Sequence, residues 1–221
     1  AFQNLSKITE IVFPNSVTSI GSATLKGCSS LKELSVPFVG GSATTTVEYG
    51  SSTYDGFSDR TYVLGYIFGW YESSATSSVS GTVYQGYGYK GSYSTNGTSG
   101  YNYYRDLYFY ADYFYIPSSL TKVTITGSSA IAYGAFHNCT SIKEIVIAKT
   151  VTKIGDYAFK NCNKLDTFSL PTSLTTLGAN VFNNCDALTE IEIPIGVTSI
   201  NASTFYDCDA LSNVKLNANI V

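Results

Sequence analysis

CNKLDTFSLPTSLTTLGANVFNN, residues 162–184, decides how this chain is read, because the segments on either side repeat it without a gap. Residues 139–161 read CTSIKEIVIAKTVTKIGDYAFKN, and residues 185–207 read CDALTEIEIPIGVTSINASTFYD. The three copies share a 23-residue frame, Cys-x-x-Leu-x-x-Ile-x-Ile-Pro-x-x-Val-Thr-x-Ile-Gly-x-x-Ala-Phe-x-x. A fixed period of this length signals a solenoid, in which each unit buries its apolar face only against its neighbours.

Outward from these copies the frame holds with variations. The first rung has Leu5 in the cysteine slot, then Ile8, Ile11, Phe13, Pro14, Val17, Ile20, Gly21 and Leu25. A second begins with Cys28, Leu31, Leu34, Val36 and Pro37 and then leaves the pattern. The frame returns at Leu120, Val123 and Ile125, closes at Ile131, Ala135 and Phe136, and ends with a half-rung at Cys208, Leu211, Val214 and Leu216. Both ends fall inside a repeat, which is the pattern expected of a piece of a longer chain.

Each rung is expected to open with a short strand whose alternate side chains point inward. Pro14, Pro37, Pro171 and Pro194 close it, since proline cannot donate to a ladder. Gly21, Gly155, Gly178 and Asn201 share one column, expected to need a positive φ. The Ala-Phe segment is expected to form one helical or 3₁₀ turn on the outer side. The organisation is therefore solenoid over 1–37, an insertion over 38–116 and solenoid again over 117–221, as one continuous domain.

The insertion holds sixteen of the nineteen tyrosines and the single tryptophan, Trp70, amid Gly, Ser and Thr. Segments such as Tyr62–Tyr71 are dense in strand-favouring residues, and they predict a β-rich lobe with loop tips rather than a disordered linker.

The frame resembles the BspA-like leucine-rich repeats, the Treponema-type subfamily found on surface proteins of host-associated bacteria and some protozoa. Leu64–Gly69 and Pro117–Leu120 also resemble segments of an interruption seen within that family. The resemblance implies an α/β leucine-rich-repeat solenoid, a horseshoe that is mostly β with short helical turns, carrying the inserted lobe. It also implies a secreted, cell-surface or cell-wall-attached protein engaged in adhesion, with extracellular-matrix proteins as possible ligands. It implies no shared residue-level site.

Composition narrows the function classes. A net charge of −3 gives no electrostatic footprint for nucleic acid, and no apolar run is long enough to predict membrane insertion. The odd cysteine count and the strict column of Cys28, Cys139, Cys162, Cys185 and Cys208 suggest buried thiols rather than disulfides or a metal site. His137, the single histidine, sits in a slot held elsewhere by the surface-type residues Lys26, Lys160, Asn183 and Tyr206, with no nucleophile elbow beside it. Gly86, Gly88 and Gly91 spell a dinucleotide fingerprint, but no helix-forming segment follows them. No catalytic, metal or cofactor residues are predicted, and the expected role is non-enzymatic protein binding.

Two surfaces are candidates for it. One is the outward strand column Glu10, Glu33, Lys122, Glu144, Thr167, Glu190 and Asn213, beside Glu192; it is either a mildly acidic ligand face or simply a solvated one. The other is the aromatic insertion, with Tyr66, Trp70, Tyr71, Tyr87 and Tyr89, since tyrosine offers large contact area at low entropic cost. These rings either bind a partner, protein or glycan, or form the lobe's own core. A purely structural spacer is the remaining alternative.

Overall fold

The computed structural model describes residues 1–42, 63–71, 82–87 and 112–220. Its strands are β1 (Glu10–Val12), β2 (Glu33–Val36), β3 (Trp70–Tyr71), β4 (Thr82–Tyr87), β5 (Asp112–Pro117), β6 (Lys122–Ile125), β7 (Ala130–Ile131), β8 (Glu144–Ile147), β9 (Lys153–Ile154), β10 (Thr167–Phe168), β11 (Thr176–Leu177), β12 (Glu190–Glu192) and β13 (Asn213–Lys215). They form a β-solenoid of about six turns. One parallel sheet runs β1-β2-β6-β8-β10, with β12-β13 as a separate parallel pair and β7-β9-β11 as a second ladder.

The repeat frame fixes the register. Glu10 faces Glu33, Glu33 faces Lys122, Lys122 faces Glu144 and Glu144 faces Thr167. Period-two alternation turns Leu34, Val36, Val123, Ile125, Ile145, Phe168 and Ile191 inward, where all are buried. Across the core from the strands, the rings of the Ala-Phe segment stack rung on rung. Phe136 lies 5.4 Å from Phe159, Phe159 lies 5.5 Å from Phe182, and Phe182 lies 5.7 Å from Phe205.

The second rung's return is a 3₁₀ helix, Leu64–Ile67, and the other outer returns are single turns rather than helices. Among the described residues the rungs turn there through i to i+3 bonds, as where Lys160 N–H donates to Tyr157 O at 3.1 Å. The alternate amides bond to the next rung: Tyr157, Phe159 and Asn161 N–H donate to Ala179, Val181 and Asn183 O at 2.9–3.0 Å. A continued α-helix would direct those amides along its own axis, so the rung-to-rung ladder limits each of these returns to 3₁₀-type i to i+3 turns.

The positive φ expected at the Gly21, Gly155, Gly178 and Asn201 column falls elsewhere. It occurs two positions later, at Ala23, Gly134, Tyr157, Asn180 and Ser203. It occurs again just before the cysteine slot, at Asn4, Gly27, Asn138, Asn161, Asn184 and Asp207. At Gly178 the requirement is space: a Cβ there would stand 2.5 Å from the Asp156 backbone nitrogen. Asp156 Oδ1 also accepts a hydrogen bond from Ala179 N–H at 2.8 Å.

The insertion leaves the sheet unbroken, since β2 pairs directly with β6. Leu64–Ile67, a 3₁₀ helix, supplies the second rung's return. Ala23 and Leu25 N–H donate to Tyr66 and Ile67 O at 3.0 and 2.8 Å, and Leu64 N–H donates to Ala135 O at 2.9 Å. Phe38, Val39, Leu64, Ile67, Phe68 and Ile116 are buried in the same core as the repeats. This packing also accounts for His137, which is buried rather than surface-like, beside the return that Leu64 covers. The described remainder is a three-stranded antiparallel sheet, β3-β5-β4, with Trp70 opposite Phe114 and Val83 opposite Ile116.

Candidate functional site

The sheet's outward face carries the acidic column. Glu10, Glu33, Thr167, Glu190 and Asn213 are exposed, and Lys122 and Glu144 are half-buried by each other. Lys122 Nζ pairs with Glu144 Oε1 at 3.1 Å, and Lys215 Nζ pairs with Glu192 Oε2 at 3.5 Å. Glu10 and Glu33 stand directly opposite on neighbouring strands with like charge, an unfavourable pairing in isolation. Among the described residues neither of these two, nor Glu190, has an ion-pair partner. Val12 and Val146 add apolar surface beside this column, at 62% and 40% exposure.

Glu10, Glu33 and Glu144 therefore share one register column of the five-stranded sheet. Glu190 and Glu192 belong to the detached β12-β13 pair. Tyr66 is on another wall, in the second rung's return, half-buried, its ring so close to Gly41 that a Cβ there would stand 2.6 Å away. Trp70 and Tyr71 are on β3, and Tyr87 ends β4 opposite Asp112. Tyr89 lies outside the described residues.

Sequence reasoning missed a discontinuity in the strand wall. Among the described residues no backbone hydrogen bond joins Asp166–Leu170 to Thr189–Ile193, although every earlier pair of rungs is bonded there. A cleft of about 260 Å³ opens at this seam, lined by Phe168, Ser169, Leu170 and Thr172 on one lip and Glu190, Ile191, Glu192 and Pro194 on the other, with Asn213 and Lys215 behind them. The outer returns of the same two rungs stay joined: Asn180, Phe182 and Asn184 N–H donate to Ala202, Thr204 and Tyr206 O at 2.8–3.1 Å. The seam is a wedge, closed at the return and open at the strands. The one available signal was Phe168, an aromatic in a column otherwise aliphatic: Ile11, Leu34, Val123, Ile145, Ile191 and Val214.

Residues 1–48 and 108–221 match the BspA type leucine rich repeat region, in six copies. The chain belongs to this family. Among solved structures, this BspA-type chain is similar to the leucine-rich repeat protein of T. pallidum, at 27% identity over 45% of this chain and 43% of that one, with a TM-score of 0.37. It is similar to a leucine-rich cell surface protein of Faecalibacterium prausnitzii, at 35% identity over 46% of this chain and 28% of that one (TM-score 0.41). A leucine-rich repeat protein of Eubacterium ventriosum matches at 18% identity over 94% of this chain and 48% of that one (TM-score 0.38). The chain spans less than half the length of each. Comparison with curated proteins gave no match.

The cysteines of these BspA-type rungs are free thiols, buried at Cys28, Cys139, Cys162 and Cys185 and half-buried at Cys208. Each of four donates its S–H to a phenylalanine carbonyl of the preceding rung: Cys28 to Phe2, Cys162 to Phe136, Cys185 to Phe159 and Cys208 to Phe182, at 3.0–3.2 Å. A small apolar residue with a weak donor suits this slot, where leucine would fill the space but leave the carbonyl without that bond. Burial pushes the Cys139, Cys162 and Cys185 thiols above the ordinary cysteine range.

The folded state therefore holds these protons at pH values where an unfolded thiol has lost them. Stability from this source is flat below the unfolded value, about 8.5, and falls as pH rises above it. The urea midpoint is expected to drop between pH 8 and 10, and to drop less in Cys162→Ala. Equal drops in both chains would refute the assignment. Iodoacetamide should leave the Cys139, Cys162 and Cys185 thiols unmodified until the chain unfolds.

Proposed function

We propose that this chain is a non-enzymatic protein-binding module of a bacterial cell-surface or secreted protein, engaging host or neighbouring-cell proteins. The observation that carries the reading is the exposed strand column, where Glu10, Glu33 and Glu190 present carboxylates without ion-pair partners among the described residues. Solenoids use the strand faces of their stacked rungs for binding. The aromatic insertion extends the reading, with Trp70, Tyr71 and Tyr87 as contact residues.

The test is surface-immobilised binding of the whole chain to fibronectin, fibrinogen and a glycan array. Two variants accompany it, Glu10→Lys/Glu33→Lys/Glu190→Lys and Trp70→Ser/Tyr71→Ser/Tyr87→Ser. Protein binding lost in either variant supports the module and locates its surface. Binding to glycans alone would replace it with carbohydrate recognition through the insertion, and no binding at all would leave a surface spacer.

A further inference from the structure

The direction of hydrogen bonds alternates along a parallel strand, so each residue serves one neighbour only. In the second rung the carbonyls of Lys32 and Val36 accept from the third rung, taking Lys122 N–H at 3.1 Å and Thr126 N–H at 2.9 Å. Asp166 and Leu170 are the equivalent residues of the fifth rung, with Phe168 between them. By the same parity Glu190 and Glu192 face back toward them, while Thr189 and Ile193 bond onward to Ser212 and Lys215. The opened seam thus presents two strand edges whose polar groups point into the cleft without joining each other.

Phe168, on one lip of the cleft, is the one aromatic residue of its strand column. Its ring is held 4.9 Å from Phe159 and 5.0 Å from Phe182, between the stacked rings of its own rung and the one before. A ring in a slot sized for an aliphatic side chain overfills the core at the strand wall. The return bonds on the far side are intact, so any extra volume at the strand wall is taken up on the open side.

We propose that this seam between β10 and β12 is a peptide-binding cleft that takes an extended segment carrying a basic side chain. The proposal rests on the protein-binding reading and assigns it a site. Free strand edges supply backbone pairing for an added segment. The buried floor of Phe168, Leu170 and Ile191 supplies apolar contact. Charge selects the occupant: Lys215 already neutralises Glu192, and Glu190 at the lip is left to receive a lysine or arginine. An acidic segment would meet the unpaired Glu190 carboxylate and is disfavoured.

The experiment uses the whole chain and a short fluorescent peptide of alternating lysine and valine, followed by anisotropy. A glutamate–valine copy and a backbone N-methylated copy serve as controls. The lysine–valine peptide is expected to bind saturably and both controls to bind at least about tenfold more weakly, a factor equivalent to roughly 1.4 kcal/mol. Phe168→Ile, which restores the aliphatic column and closes the sheet, is expected to lose binding, and Glu190→Gln to weaken it about tenfold. Should Phe168→Ile fail to fold, Glu190→Gln and hydrogen exchange carry the test. The Glu190 and Glu192 amides should exchange quickly in the free chain and become protected with the peptide. Slow exchange in the free chain, absence of saturable binding, or equal binding by Glu190→Gln and the parent would overturn the proposal. If the cleft peptide fails while a protein ligand is still captured, the site assignment falls and the protein-binding reading stands. If neither binds, both fall.

Discussion

Phe159→Ala is expected to lower stability by roughly 3–5 kcal/mol, the range for truncating a buried phenylalanine. In a chain of this size that corresponds to a fall in Tm of roughly 6–20 °C. The ring is fully buried and stacks between Phe136 and Phe182, with Phe168 tilted against its edge. No neighbour can collapse into the space, because Phe136 and Phe182 are each held by a backbone bond to the next rung, Phe136 N–H to Ala158 O at 2.7 Å and Phe182 N–H to Thr204 O at 2.9 Å. The cavity should therefore persist and place the loss toward the upper end. Phe2→Ala is the control: that ring is 41% exposed and makes one edge contact, with Phe13, so its loss should stay near 1 kcal/mol. Urea or thermal unfolding of both variants decides the point. Equal losses would mean that the stacked column contributes no more than exposed rings do.

What the sequence made legible followed from repetition. A 23-residue period with Cys, Leu, Ile and Phe at fixed offsets sets the pairing of β1, β2, β6, β8 and β10, because a slip by one residue would turn Leu34, Val123 and Ile145 to solvent. The acidic column was readable for the same reason. Features set by neighbouring rungs were not. Ala23, Tyr157 and Ser203 are not residues that announce a positive φ; at Ala23 and Tyr157 it goes with N–H groups that donate to Tyr66 and Ala179 O in the next rung. The glycine column misled for the complementary reason, since crowding against Asp156 and not dihedral freedom excludes a side chain at Gly178. Leu64–Ile67 fills the second rung's return without resembling the Ala-Phe segment it replaces, so composition placed it with the tyrosine-rich insertion. At the seam the one departure from the repeat is Phe168, and a single departure reads as tolerance until its packing is seen.

The second large effect concerns a ladder that runs parallel to the cysteines. Asn161 Nδ2 donates to Asn138 Oδ1 at 2.6 Å, and Asn184 Nδ2 donates to Asn161 Oδ1 at 3.1 Å, each step spanning one rung. All three asparagines have φ near 60°, a backbone conformation that asparagine tolerates better than other residues with a Cβ. Asn161→Ala removes both bonds at once, leaving Asn138 without its donor and Asn184 without its acceptor in half-buried positions. Two lost bonds at about 1 kcal/mol each, together with roughly 1–2 kcal/mol for alanine in the left-handed region, give an expected loss of about 3–4 kcal/mol. Asn161→Gly separates the two causes. It also loses the bonds but accepts the backbone, so it should recover about 1 kcal/mol relative to alanine. If glycine and alanine destabilise equally in urea unfolding, the backbone contributes nothing and the asparagine column is retained for its hydrogen bonds alone. If glycine restores the parent's stability, the ladder is incidental, and the left-handed turn before each cysteine is the reason asparagine recurs there.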